Sequence, residues 1–336
     1  MKELLKVQNL SVTFSSGGTP VQAVRDVSFT VYEGETLAVV GESGCGKSAT
    51  AKAIMRLLDR TSAKIAPESI VEYSGQNLLT LSKQELNRVR GKEISMVFQD
   101  AMASLNPTMT IGAQITETIR THLKLDKAVS ARRAAELLSM MELPEPAEQM
   151  GRYPHQLSGG QRPRVMIAMA LACDPKLIIL DEPTTALDTT IQAQILGLLQ
   201  KLQRQMGMSL LLITHDLAIV AGLADRMQVM YGGQIVERGT TVELFHTPRH
   251  PYTAALLSAI PRPGMAHRDK FYALPGAPPD LRLELDCCPF AARCQYAMPV
   301  CKKQRPAETG KDHRVSCWLT DERAPKVNLG GGVSNV

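Results

Sequence analysis

A chain of 336 residues, 44% hydrophobic and 21% charged, lies in the ordinary globular range and is long enough for one large or two ordinary domains. A formal net charge of +5 without a long Lys/Arg block gives nucleic-acid binding no support. The longest apolar run, Val165 to Cys173, falls well short of the roughly 20 residues needed to cross a bilayer, and "MKELLKVQNLSVTF" lacks a signal-peptide core, so a cytosolic chain with reduced thiols is expected.

In chain order, residues 4–14 and 23–40 carry short β-branched and apolar runs that predict strands, the last of them the buried run "TLAVV". A helix is expected over 48–58, and a largely helical stretch from about 83 to 150. Strand-like runs return in "KLIILDEP" and "SLLLITHD", with the helical "TIQAQILGLLQKLQRQ" between them. That alternation predicts an α/β fold with a parallel sheet and helical crossovers. "MYGGQIVERG" reads as a hairpin on a Gly-Gly turn. Prolines then become frequent up to about residue 289, which places a boundary near 240: a nucleotide-binding domain over 1–240, with a helical part at about 100–165, and a tail over 241–336. The last fifteen or so residues read as a disordered end.

"GESGCGKS", Gly41 to Ser48, fits G-x-x-x-x-G-K-S/T between a strand and a helix. Its glycines let backbone N–H groups and a helix N-terminus face phosphate oxygens. The ATP-binding set is Gly41, Glu42, Ser43, Gly44, Cys45, Gly46, Lys47, Ser48 and Ala49, with Lys47 on the β/γ-phosphates and Ser48 on Mg²⁺. "LIILDEP" is an apolar strand ending in two acids: Asp181 would hold Mg²⁺ through water, and Glu182 would polarise the attacking water. "LSGGQ" reads as a helix start capped by Ser158, an end that presents donors to an anion.

Together these motifs, with Gln99 in "MVFQD", Asp188 in "TTALD" and His215 in "LLITHD", occur in the order of an ABC-transporter ATPase subunit, and the chain resembles that family over roughly residues 4 to 245. The resemblance implies a P-loop ABC-type domain that works as a head-to-tail pair around two ATP molecules. Ser158, Gly159, Gly160 and Gln161 of one copy would face the phosphate loop of the other. It implies that Gln99 links Mg²⁺ and the lytic water to the membrane partner, that His215 contacts the γ-phosphate, and that Asp188 lies at the dimer seam. Phe14 matches the adenine-stacking position, with Val24 flanking the base.

More narrowly, "FQDAMASLNPTMTIGAQI", "YPHQLSGGQ", "HPYTAALLSAIPRP" and "CPFAARC" resemble the ATPase subunits of bacterial dipeptide and oligopeptide importers, with nickel importers close behind. This implies a second ATPase subunit, a homologous sibling, together with two transmembrane permease subunits and an extracytoplasmic peptide-binding protein. The chain would sit peripherally on the cytoplasmic face of the inner membrane and bind no nucleic acid. A soluble ABC ATPase acting on DNA or ribosomes is the alternative from another class. Pro163, counted as the fifth helical residue from a Ser158 cap, predicts a slight kink, and Ala101 replaces a frequent proline.

Cys288, Cys294, Cys301 and Cys317 lack the C-x₂₋₄-C pairs of structural zinc sites. Four thiolates also hold iron–sulfur clusters, whose spacing is freer. The importer resemblance implies a 4Fe–4S cluster on these four, with Zn²⁺ as the alternative and disulfides last. Cys287, adjacent to Cys288, is left out, and Cys45 reads as a small residue where serine would also fit.

Overall fold

The computed structural model describes residues 1–15, 18–99, 104–185, 187–260 and 274–329; Ala101 and residues 330–336 lie outside them. The first elements are β1 (Glu3–Phe14), β2 (Val21–Tyr32), β3 (Thr36–Val40), α1 (Lys47–Ile54), β4 (Ala63–Ile65), β5 (Ile70–Tyr73), β6 (Gln76–Asn77), α2 (Lys83–Val89) and β7 (Ile94–Val97). Next come α3 (Ile111–Leu123), α4 (Lys127–Met140), α5 (Pro146–Gln149), α6 (Gln161–Ala170), β8 (Leu177–Asp181), α7 (Thr189–Met206) and β9 (Ser209–Thr214). The described chain ends with α8 (Leu217–Leu223), β10 (Arg226–Tyr231), β11 (Gln234–Thr240), α9 (Thr241–His246), α10 (Pro251–Ser258) and β12 (Arg314–Val315).

These elements form two compact units. One comprises Met1–Leu4, Val31–Glu35 and Thr80–Leu212; the other comprises Leu5–Thr30, Thr36–Leu79 and Ile213–Val336. The first holds the α3–α4 pair and the parallel strands β7 and β8. Leu177 to Asp181 are all buried, which explains why this strand shows no polar alternation. Helix α3 is started by Thr110, whose side chain accepts from Ala113 N, and it buries Ile111, Ile115 and Ile119, one residue per turn on one face.

The second unit contains a sheet in the order β2-β1-β5-β6, in which β4 and β5 are antiparallel to β1 and β6 is antiparallel to β5. Its other strands run β12-β11-β10-β3. There β10 is parallel to the fully buried β3 and antiparallel to β11, so the sheet is mixed. Tyr231 pairs with Gln234 across Gly232 and Gly233, both at positive φ, as the expected Gly-Gly hairpin requires.

Three sequence expectations need correction. The helix expected over 48–58 stops at Ile54, and Arg56 takes a left-handed φ of 50°. The helical stretch from 83 to 150 is interrupted by β7, whose four residues "ISMV" gain the buried β8 as a partner. Helix α6 starts at Gln161 from Gly160 with no side-chain cap, so Ser158 is not its cap. Pro163 is thus the third helical residue, inside the first turn, where a missing N–H removes no intrahelical bond. The helix runs on unbroken to Ala170, and the reason for a kink disappears.

Candidate nucleotide site

In the second unit, β3 delivers the chain to Gly41, and the loop closes at Gly46 before α1. A Cβ on Gly41 would lie 2.1 Å from Met230 O, and one on Gly46, at φ +107°, would lie 2.3 Å from Ala23 O. Glycine at these two positions is therefore a packing requirement as well as a conformational one. Lys47 is buried, and its Nζ donates to the carbonyl oxygens of Gly41 at 2.7 Å and Glu42 at 3.0 Å. The loop is thus curled around its own lysine, with Ser48 and Ala49 on the first turn of α1. Burial pushes the Cys45 thiol up, so it stays protonated as a small apolar filler despite Lys47 at 3.8 Å.

Glu42 holds a contact that sequence reading did not anticipate. Its carboxylate receives both terminal nitrogens of Arg293, at 2.6 and 3.0 Å, and its N–H donates to Tyr252 Oη at 2.8 Å. Phe14 is half-buried at the end of β1, whereas Val24 is fully buried in β2 and serves the core. His215 is exposed between β9 and α8, beside Asp216, which caps α8 by accepting from Ala218 N.

In the first unit, Asp181 ends β8 and is buried. Glu182 follows in the left-handed region at φ +47°, a conformation that costs energy for a residue with a Cβ and turns its carboxylate out of the strand direction. Gln99, two residues past β7, donates from Nε2 to Glu182 Oε2 at 2.9 Å, and Thr185 Oγ1 donates to the same oxygen at 3.0 Å. The ends of two parallel strands thus bring the expected base and the expected glutamine together. An oriented carboxylate next to an amide is suited to gripping a water molecule.

The "LSGGQ" loop is tied differently from expectation. Ser158 N donates to Gln161 Oε1 at 2.9 Å, and Ser158 O accepts from Gln161 N and Arg162 N. Ser158 and Gly159 are exposed, and a Cβ on Gly159 would meet nothing, whereas one on Gly160 would press Ile191 at 3.0 Å. Asp188 is the N-cap of α7, accepting from Ile191 N at 2.9 Å. The exposed loop and the exposed Asp188 therefore rest on one helix start.

All seven cysteines are free thiols. Burial pushes Cys288 and Cys317 up to about 12; the thiols of Cys301 and Cys294 act on both in the same direction. Cys288 N donates to Cys301 O at 3.0 Å, and Met298 N donates to Cys301 Sγ at 3.4 Å. The four thiols thus share one neighbourhood, three of them buried and Cys294 half-buried, and thiols are a donor type suited to a cluster or a zinc ion. Among the described residues, however, no three His, Cys, Asp or Glu side chains are arranged to hold a metal ion.

Residues 24–185 match the family described as ABC transporter, and residues 236–301 match the one described as Oligopeptide/dipeptide transporter, C-terminal region. The dipeptide transport ATP-binding protein DppD of Bacillus subtilis (strain 168) is 48% identical over 333 residues, 98% of this chain and 99% of that protein. The chain belongs to the ABC transporter family of DppD/OppD-type ATP-binding subunits. The oligopeptide transport ATP-binding protein OppD of the same organism is 49% identical over 326 residues, 96% of this chain and 91% of its own. A dimeric ATP-binding cassette, MJ0796, solved in a post-hydrolysis state with ADP and Pi, superposes with a TM-score of 0.63 at 30% identity, over 71% of this chain and 99% of that one. The resemblance drawn from the motifs is thus borne out over almost the whole chain, as is an ABC-type α/β cassette. Among the described residues no helix is long and apolar enough to cross a membrane.

Proposed function

We propose that this chain is the ATP-hydrolysing subunit of an ABC importer for dipeptides and oligopeptides. The observation that carries the reading is the Gln99–Glu182 pair at the ends of two parallel strands, in a chain similar along its length to peptide-transport subunits. The relatives' names supply the substrate class.

In the proposed mechanism Lys47 and the loop amides from Gly41 to Ser48 bind the phosphates, and Phe14 supports the adenine. Ser48, Asp181 and Gln99 would hold a Mg²⁺ ion, which would supply neutralisation of the charge on the β- and γ-phosphates. Glu182 takes a proton from water as its oxygen attacks the γ-phosphorus. The bond to the ADP oxygen breaks, and phosphate leaves. His215 touches the γ-phosphate and reports its presence. Ser158, Gly159, Gly160 and Gln161 serve the phosphate loop of a second subunit, and Asp188 meets that subunit at the seam; the exposure of Ser158, Gly159 and Asp188 supports both roles. Closure of the pair drives two membrane permease subunits fed by an extracytoplasmic peptide-binding protein, with this chain peripheral on the cytoplasmic side. The catalytic domain spans 1–240, and in the tail over 241–336 Cys288, Cys294, Cys301 and Cys317 are the residues that would hold a structural 4Fe–4S cluster.

Glu182→Gln keeps the size and the contact with Gln99 but removes the base. ATP binding should persist while turnover drops by about 10²–10⁴; unchanged turnover would remove Glu182 from the catalytic role.

A further inference from the structure

The phosphate loop is built to receive a polyanion, yet it carries the carboxylate of Glu42. Like charges at short range oppose binding unless one of them is neutralised. In the second unit that neutralisation comes from a residue some 250 positions away. Arg293 lies in "CPFAARC", its side chain only 5% exposed, and presents its fork to both oxygens of Glu42. A planar bidentate pair fixes direction as well as charge.

The arginine is itself held on every side. Its Nε donates to Pro275 O at 2.8 Å, and its Nη1 donates to Tyr231 Oη at 3.2 Å. Phe290, three residues earlier, packs edge-on against Tyr231 with ring centroids 5.2 Å apart and also meets Tyr252 at 5.4 Å. Tyr252 in turn accepts from Glu42 N. Both the backbone and the side chain of Glu42 are therefore tied to the tail. The Glu42 carbonyl and its neighbour at Gly41 are the two oxygens that hold Lys47 Nζ. A shift of Glu42 is passed directly to the lysine.

We propose that Arg293 is a positioning residue of the nucleotide site. It neutralises Glu42 and turns it away from the incoming phosphates, setting the loop conformation that presents Lys47. The proposal rests on the ATPase reading above. It assigns the cysteine-bearing tail a part in ATP affinity that the loop motif by itself does not disclose.

The test is a double-mutant cycle on the full chain, reading the ATP dissociation constant, KM against kcat, and the thermal midpoint. Arg293→Met should raise the Kd and KM for ATP about tenfold while kcat stays within about twofold, the scale of one charge-assisted pair. Arg293→Lys, which keeps the charge without the fork, should fall between. Adding Glu42→Gln to Arg293→Met should recover most of the affinity, because the exposed carboxylate is then gone. A lowered thermal midpoint with unchanged Kd would reduce Arg293 to a structural brace and overturn the proposal. So would losses that simply add in the double variant. If Arg293→Met does not fold, the same cycle on Arg293→Lys decides between coupled and additive losses. Failure of the unsubstituted chain to bind ATP would instead overturn the nucleotide reading, which separates the two failures.

Discussion

His250 is buried to 1% exposure and stands immediately before α10. Its Nδ1 accepts from Tyr252 N at 3.0 Å, which requires an unprotonated nitrogen on that side. Its Nε2 finds no hydrogen-bond partner among the described residues, and Phe290 lies 5.8 Å away, centroid to centroid. A charge on this ring would lose both water and the helix cap. Burial therefore lowers its pKa to about 4, against a smaller opposing pull from the nearby Glu237 carboxylate, which accepts from His250 N. The unfolded chain takes up this proton below about 6.5 and the folded chain only near 4, so the unfolded state binds more protons in between. Stability is complete above pH 6.5 and declines as pH falls, with roughly 3 kcal/mol lost by pH 4 at about 1.4 kcal/mol per unit. His250→Asn keeps a cap acceptor but does not titrate. Urea unfolding of both proteins at pH 7.5, 6.5, 5.5 and 4.5 isolates the histidine in the difference, which should shrink with acidity in favour of the variant. Parallel stability curves would refute the reasoning.

Two further outcomes follow from the same structure. Gly46→Ala forces a Cβ against Ala23 O at 2.3 Å while holding φ at +107°, so ATP binding should be lost and the thermal midpoint should fall; about 1–3 kcal/mol comes from the backbone strain alone, and unaltered ATP affinity would count against the packing argument. Protein purified anaerobically should carry about four irons with matching sulfide, both lost in Cys288→Ser; iron and sulfide near zero in the unsubstituted protein would reject the cluster, and one zinc without sulfide would favour the alternative.

What the sequence showed most clearly were features set by local chemistry. "TLAVV" and "LIILD" announce buried strands because no polar residue interrupts them, and Gly232–Gly233 announces its turn because two positive φ angles need glycine. The phosphate loop was legible for the same reason. Strand β7 was not, because four residues carry too little periodicity to outweigh helical neighbours, and only pairing with β8 decides their state. Ser158 misled as a cap because a serine ahead of a helix is an ordinary cap, while here the helix starts from Gly160 with no side-chain cap and Ser158 donates its N–H to Gln161 Oε1. The burial of Val24 in the core and the pairing of Arg293 with Glu42 are tertiary facts: one depends on which face of β2 is covered, the other on a contact across 251 positions.

The second unit is closed by contacts between distant parts of the chain. Gln22 N donates to Leu281 O, and Arg25 Nη2 donates to the carbonyls of Leu281 and Leu283 across 256 and 258 positions. On the ribosome this imposes an order of events. The long segment Thr80–Leu212 has emerged, with its internal partners, well before the strands that precede it can find their last neighbours. At about 5–20 residues per second, the stretch from Ser48 to Arg293 takes roughly 12 to 50 s to synthesise. Throughout that interval a nascent chain displays a complete phosphate-loop sequence with Glu42 still unbraced. If Arg293 positions Glu42 as proposed, competence to hold nucleotide tightly would arrive only late in synthesis.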